Sequence, residues 1–214
     1  MSRVASPRPP TRTASLDEAG DVTGVVLAGG RSSRFGRDKL REPYRGAPLL
    51  HHAILHLAKV CREVVVVVAP RAPDPEAPVG ARVRVARDPE EGRGPLVGLS
   101  AALGEVRTEL ALVAGGDMPE LSVVVLAEML RVAREAPVEA VALQEGDTFR
   151  PLPVVLRAGP ARETAAGLLR RGEGSLVALL GALGLALIDE PTWHALDPTG
   201  ATLLDVDRPE DLNP

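Results

Sequence analysis

The stretch Leu27-Ala28-Gly29-Gly30-Arg31-Ser32-Ser33-Arg34-Phe35-Gly36-Arg37-Asp38-Lys39 joins backbone freedom to concentrated positive charge. Glycines that follow an apolar run let main-chain amides approach an anion closely. Arg31, Arg34, Arg37 and Lys39 then supply cations of the kind that neutralise phosphate oxygens. The spacing is not a dinucleotide fingerprint, which needs G-x-G-x-x-G, nor a P-loop, which needs G-K-[ST]. Phosphate binding and a solvated basic turn both fit it. One residue stands out from the background. Of the 25 basic residues only Lys39 and Lys59 are lysines, so a lysine in this loop departs from the chain's habit of using arginine.

Carboxylates supply the complementary chemistry. Asp117 follows the apolar run Leu110–Ala114 and the pair Gly115-Gly116, and Pro119 lies two residues on. A carboxylate on such an edge could share Mg²⁺ with phosphate oxygens, or could cap the helix that Pro119 would open. Asp88 stands before Pro89, where turn chemistry is common. Alternation along Leu203–Asp207 puts Asp205 and Asp207 on one face of an extended segment. Asp207 is then either the N-cap of a short terminal helix, Arg208–Leu212, or a second Mg²⁺ ligand beside Asp117 if the segment returns to the strand ends.

The elements that would carry these residues alternate along the chain. Val22–Ala28, Val64–Ala69, Val83–Ala86, Leu110–Ala114, Val138–Leu143, Leu152–Leu156 and Leu185–Ile188 read as strands. Helical spacing covers Pro48–Val60, Pro95–Val106, the stretch from Pro119 to about Glu135, and residues 161–183 with a break near Gly172–Gly174. Residues 70–80 hold four prolines and form a loop. This order predicts a three-layer α/β fold, a mainly parallel sheet with helices on both faces. Ligands of such sheets lie at the carboxyl ends of the strands, where both the glycines at 29–30 and Asp117 fall.

A length of 214 residues suits one sizeable domain. The net charge of −4 argues against a general nucleic-acid or anionic-membrane surface. Val64–Ala69, the longest strongly apolar run, falls far short of the roughly 20 residues a membrane helix needs. Cys61 is the only cysteine, which excludes an internal disulfide, a cysteine-only zinc site and an iron–sulfur cluster. A cytoplasmic protein is the expectation. Residues 1–20 are rich in Pro, Ser, Thr, Arg and Ala and read as a disordered arm; residues 21–214 read as the folded domain.

The pattern L-A-G-G-x-S-x-R-x-G-x-D-K after the first strand resembles the signature of the MobA-type nucleotidyltransferases, which make molybdenum-cofactor dinucleotides. Further pieces agree in order: Asp88 with Gly94-Pro95-Leu96-Val97-Gly98, then Gly116-Asp117-Met118-Pro119, Arg150-Pro151-Leu152-Pro153, and Asp205-Val206-Asp207-Arg208-Pro209-Glu210-Asp211-Leu212. The resemblance spans residues 22–213 and implies a Rossmann-like nucleotidyltransferase fold. It implies transfer of GMP from GTP to molybdopterin with Mg²⁺ and release of pyrophosphate. Leu27, Ala28, Gly29 and Gly30 would then meet the nucleotide, Lys39 and Arg34 the triphosphate, Asp88 the nucleotide and Asp117 the Mg²⁺. Two departures accompany it. The family's Asn at the end of the second strand is replaced by Val68-Ala69-Pro70, and the two Asn of its final motif by Asp205 and Asp207. The D-x-D ending also occurs in cytidylyltransferases and in guanylyltransferases for other small phosphorylated acceptors, and both are alternatives. The resemblance adds molybdoenzyme maturation proteins as candidate partners, and the chain is expected to be a monomer or weak oligomer.

Other polar residues carry less. His52 and His56 lie one helical turn apart, but no carboxylate or third ligand is near them in sequence, so a helix surface explains them. Cys61 reads as a small residue at the core edge. Ser100 lacks the G-x-S-x-G elbow. Trp193-His194 is either a packed turn or part of a pterin pocket. The arm has no apolar anchors beyond Val4 and Leu16. Deleting residues 1–18 should therefore leave activity and melting temperature nearly unchanged; a loss of several degrees in a thermal melt would show that the arm packs on the domain.

Overall fold

Valine-rich runs make the centre of the molecule, because β-branched side chains fit a pleated surface buried on both faces. The structure, a computed structural model, describes residues 2–3, 22–29, 38–90 and 92–212. Its strands are β1 (Ser2–Arg3), β2 (Val22–Leu27), β3 (Pro43–Tyr44), β4 (Ala47–Pro48), β5 (Glu63–Val68), β6 (Val83–Arg87), β7 (Leu110–Gly115), β8 (Ala140–Glu145), β9 (Thr148–Arg157) and β10 (Leu185–Ile188). Its helices are α1 (Leu49–Ala58), α2 (Pro95–Glu105), α3 (Val123–Glu135), α4 (Ala158–Arg170), α5 (Leu176–Ala182) and α6 (Glu190–Leu196). One sheet runs in the order β1-β10-β8-β9-β7-β2-β5-β6. Within it β9 is antiparallel to β7 and β8, and the other pairs are parallel. The expected three-layer α/β fold with a mainly parallel sheet is the observed one.

The period of two divides each strand between two cores. Val64, Val66 and Val68 of β5 face one core with α1 and α3; Val65 and Val67 face the other with α2, α4 and α5. Leu110, Leu112 and Ala114 of β7 join the first, Ala111 and Val113 the second. Each fully buried aliphatic side chain stabilises the fold by roughly 1.5–3 kcal/mol relative to exposure. The chain leaves β2 for β5 and β6 on one side and returns to β7 on the other. The strand order therefore reverses beside β2, and the carboxyl ends of β2 and β7 lie next to each other.

Several elements differ from the sequence expectation. The helix expected from Pro119 starts at Val123, because Met118 and Leu121 both turn into the core and the Ser122 amide donates to Thr202 Oγ1 at 3.1 Å. The chain must loop to bury two side chains before a helix can begin. β8 and β9 extend beyond the expected limits and join through Gly146-Asp147 as a hairpin, with Gly146 at φ 57°. α6 stands where a turn is one of the two expected readings; Asp189 caps it by accepting from the Thr192 amide at 2.9 Å, and Pro191 sits in its first turn. Arg208–Leu212 is a 3-10 turn over Pro209–Leu212. Ser2–Arg3 pairs in parallel with Ala186–Leu187 at the sheet edge, while residue 1 and residues 4–20 of the expected arm lie outside the described residues.

Gly24 lies mid-strand in β2 under α1. A Cβ there would stand 3.1 Å from Leu57 Cδ2 and 3.2 Å from Val64 Cγ2. Gly24→Val should destabilise the protein by about 1–3 kcal/mol through overpacking, read as a lower urea midpoint with unchanged slope.

Candidate active site

Lys39 starts a 3-10 turn, Lys39–Arg41, whose cap is the Asp38 side chain accepting from the Leu40 amide at 3.2 Å. This turn delivers the Lys39 ammonium to the carboxyl end of β7. There Nζ donates to Asp117 Oδ2 at 2.8 Å and to the Val206 carbonyl at 2.8 Å, and lies 3.5 Å from Asp207 Oδ1. The Lys39 side chain is 16% exposed, that of Asp117 29% and that of Asp207 59%. The lysine is thus the more enclosed partner, and Asp207 faces water.

Asp117 owes its position to the glycines before it. A Cβ on Gly115 would collide with Asp117 Oδ1, and one on Gly116 would press on Leu50 at 3.1 Å, Leu40 at 3.2 Å and the Leu27 carbonyl at 3.3 Å. Small residues are required because the carboxylate folds back over the strand end. The C-terminal segment reaches the same place through Val206. Its amide donates to the Asp117 carbonyl at 2.9 Å, and its side chain is fully buried with Tyr44, Leu49 and Leu212. Anchoring Val206 leaves the neighbouring aspartates pointing to the strand ends. The Asp207 carboxylate meets Lys39 rather than capping the following turn; Asp211 Oδ2 accepts from the amides of Asp207 and Arg208 at 3.0 and 2.9 Å instead.

A second ion pair lies alongside. Arg150 of β9 donates to Asp205 Oδ2 at 2.7 Å and to the Leu203 carbonyl at 3.3 Å, and approaches Glu145 at 3.5 Å. Burial, followed by the neighbouring Asp117 carboxylate, pushes Asp205 up to about 6 against the pull of Arg150. Three carboxylates, Asp117, Asp205 and Asp207, here face two cations, Lys39 and Arg150. Hard carboxylate oxygens in surplus suit a divalent cation such as Mg²⁺. Among the described residues no group of three His, Cys, Asp or Glu could hold a metal. A cation at Asp117 and Asp207 would need further oxygens, which a bound phosphate chain can provide.

The remaining predicted residues fall elsewhere. Gly29 lies against the end of β5, its Cβ position 3.7 Å from the Ala69 amide. Two backbone groups expected to meet a base are already engaged: the Leu27 carbonyl accepts from Gly116 at 3.0 Å, and the Ala28 amide donates to Val67 at 2.8 Å. Asp88, only 8% exposed, follows β6 and accepts from the Glu90 amide at 3.0 Å, which is turn chemistry. Gly98 of α2 makes room for it, since a Cβ there would lie 3.3 Å from Asp88 Oδ2. Gly30 and Arg34 lie outside the described residues.

Sequence reasoning left Arg150 and Asp205 out of the site, although each stands in a short motif that could have pointed to them. It also missed Tyr44, whose hydroxyl donates to Glu120 at 2.8 Å; burial and then that bond push it up to about 12. The histidines are structural: His51 and His52 bond the carbonyls of Glu76 and Tyr44 at 2.9 and 2.7 Å, and burial pulls His56 down. Trp193 is core, its indole donating to the Gln144 carbonyl at 2.8 Å.

A mainly parallel sheet whose order reverses beside β2, with a lysine and carboxylates converging at the strand ends, defines an α/β protein of the doubly wound kind, whose ligands lie at such reversals. The model of the MobA-like NTP transferase domain matches residues 24–186, and the chain belongs to that family of nucleotidyltransferases. A protein of Chloroflexus aggregans described as a probable molybdenum cofactor guanylyltransferase is 32% identical over 198 residues, covering 89% of this chain and 91% of its own. Molybdopterin-guanine dinucleotide biosynthesis protein A from Archaeoglobus fulgidus superposes with a TM-score of 0.71 at 20% identity, over 89% of this chain and 94% of that one. The 2-C-methyl-D-erythritol 4-phosphate cytidylyltransferase of Thermus thermophilus shares the fold with a TM-score of 0.63 at 20% identity, over 88% and 94% of the two chains. Among the described residues no helix is long and apolar enough to cross a membrane.

Because the Gly115 position has no room for a side chain, Gly115→Ala should displace the Asp117 carboxylate. Nucleotidyl transfer is expected to fall by roughly 10²–10³, the usual effect of losing one preorganised electrostatic group, while the melting temperature drops only a few degrees. Steady-state kinetics beside a thermal melt separate the two effects.

Proposed function

We propose that the protein transfers GMP from GTP to molybdopterin, forming molybdopterin guanine dinucleotide and releasing pyrophosphate. The observation that carries the chemistry is the convergence of Lys39, Asp117 and Asp207 at the carboxyl ends of β2 and β7. The name of the Chloroflexus relative, aligned over nearly the whole chain, supports the choice of GMP.

An oxygen of the acceptor's terminal phosphate attacks the α-phosphorus of GTP. The new P–O bond forms as the bond to the β-phosphate bridging oxygen breaks, and pyrophosphate leaves with that electron pair. The attacking phosphate is already ionised near neutral pH, so little base catalysis is needed, and positioning and charge neutralisation do the rest. Lys39, with Arg34, offsets charge on the departing pyrophosphate. Asp117 and Asp207 would hold Mg²⁺, which when bound supplies further charge neutralisation to the phosphates. Leu27, Ala28 and Gly29 would present main chain to the base; with the Leu27 carbonyl and Ala28 amide engaged in the sheet, guanine would pair with the Ala28 carbonyl and the Gly29 backbone. Asp88 fixes the turn that borders the nucleotide. Both substrates place the reaction in the cytoplasm, with molybdoenzyme maturation proteins as recipients of the product.

The D-x-D ending keeps a second reading open, a cytidylyltransferase or a guanylyltransferase for another phosphorylated acceptor, and the shared fold accommodates either. Guanine offers N1–H and N2–H₂ donors and an O6 acceptor, and a site built on such bonds rejects a base that leaves them unpaired. With molybdopterin as acceptor, kcat/KM for GTP should exceed that for CTP and ATP by orders of magnitude, measured as pyrophosphate release. Equal values for GTP and CTP would remove the guanylyl assignment.

A further inference from the structure

An ammonium has three N–H donors and no more. At Lys39 they meet three acceptors: Asp117 Oδ2 at 2.8 Å, the Val206 carbonyl at 2.8 Å and Asp207 Oδ1 at 3.5 Å. No donor is left for a phosphate oxygen. To touch a triphosphate, Lys39 must release at least one of these groups. Two of the three are the carboxylates that would hold a divalent cation, and a dication seated on them would repel an ammonium about 3 Å from the same oxygens.

We propose that Lys39 is the internal counter-cation of the Asp117–Asp207 pair, and that a divalent cation binding there exchanges with it and sends its ammonium to the nucleotide's phosphates. This rests on the reading of Asp117 and Asp207 as the cation's ligands. The chemistry explains the residue type. Lysine is a compact point charge on a flexible four-carbon stem, able to swing between two anionic partners; arginine's planar fork is suited to one fixed geometry. A chain that otherwise uses arginine keeps lysine at this position and at Lys59 alone. The position also fits: the Lys39 side chain is tethered by a short capped turn and is mostly enclosed, so its reach is confined to the strand ends. Exchange makes cation and nucleotide binding mutually reinforcing, because the cation liberates the donor that the phosphates need.

The test uses the full chain without nucleotide. Free Mn²⁺ is counted by electron paramagnetic resonance during titration of the wild type, Lys39→Met and Asp117→Asn. Lys39→Met should bind Mn²⁺ roughly tenfold more tightly than the wild type, since a competing cation is gone, and Asp117→Asn should bind it more weakly. In parallel, the wild type is prepared with ¹³Cε-labelled lysine, which leaves all three N–H donors in place, with Lys59→Arg assigning the two signals. Adding Mg²⁺ should move the Lys39 resonance and leave Lys59 in place, a readout that stands even if Lys39→Met fails to fold. If Asp117→Asn weakens Mn²⁺ binding while Lys39→Met does not tighten it and the Lys39 signal stays still, the exchange is wrong and the cation site survives. If Asp117→Asn has no effect, the cation assignment itself fails and the exchange falls with it.

Discussion

A lysine ammonium held between carboxylates is the contact on which the site's geometry depends. Lys39 reaches Asp117 across 78 positions of sequence and Val206 across 167. The contact therefore joins the loop after β2, the end of β7 and the C-terminal segment. Partly enclosed, this ion pair is screened less than a surface pair, but it is not what makes the protein fold. The two aliphatic cores on either side of the sheet do that, and they hold the backbone so that charges of both signs arrive at one edge.

That edge is built by excluding side chains as much as by placing them. Gly115 and Gly116 leave space into which the Asp117 carboxylate and the Leu27 carbonyl can move. Gly94, at φ 92°, brings the start of α2 against Gly174, whose carbonyl accepts from the Leu96 amide at 3.1 Å. The loop before α2 and the loop between α4 and α5 are thus packed backbone to backbone, an approach that a Cβ at either glycine would prevent.

Charge at the site is balanced toward the negative. Asp117, Asp205 and Asp207 face Lys39 and Arg150, and Asp205 is held near 6 by burial and by its neighbours. Asp205 and Asp207 add two carboxylates to the field around Asp117 at the carboxyl ends of β2 and β7. Lys39 is shared between Asp117 and Asp207, and Arg150 is paired with Asp205.

Periodicity and punctuation determined much of the fold by themselves. Valine runs of strand length, helical spacing at Pro48–Val60 and Pro95–Val106, and glycines after strands are local signals, because secondary structure follows from backbone sterics and from which face can be buried. The loop motif likewise singled out Gly29 and Lys39, and the glycine pair after the run Leu110–Ala114 singled out Asp117. Only the tertiary structure decided how they meet. That Asp207 faces Lys39 instead of capping the next turn depends on burying Val206 beside Tyr44 and Leu49, contacts distant in sequence. That Asp205 belongs to Arg150, that Pro119 stands in a loop before α3, and that Trp193 is core all follow from packing against elements far along the chain. Local pattern sets which residues carry charge and which strand ends they sit on; long-range burial sets the ångström distances between them, and those distances are what a site is made of.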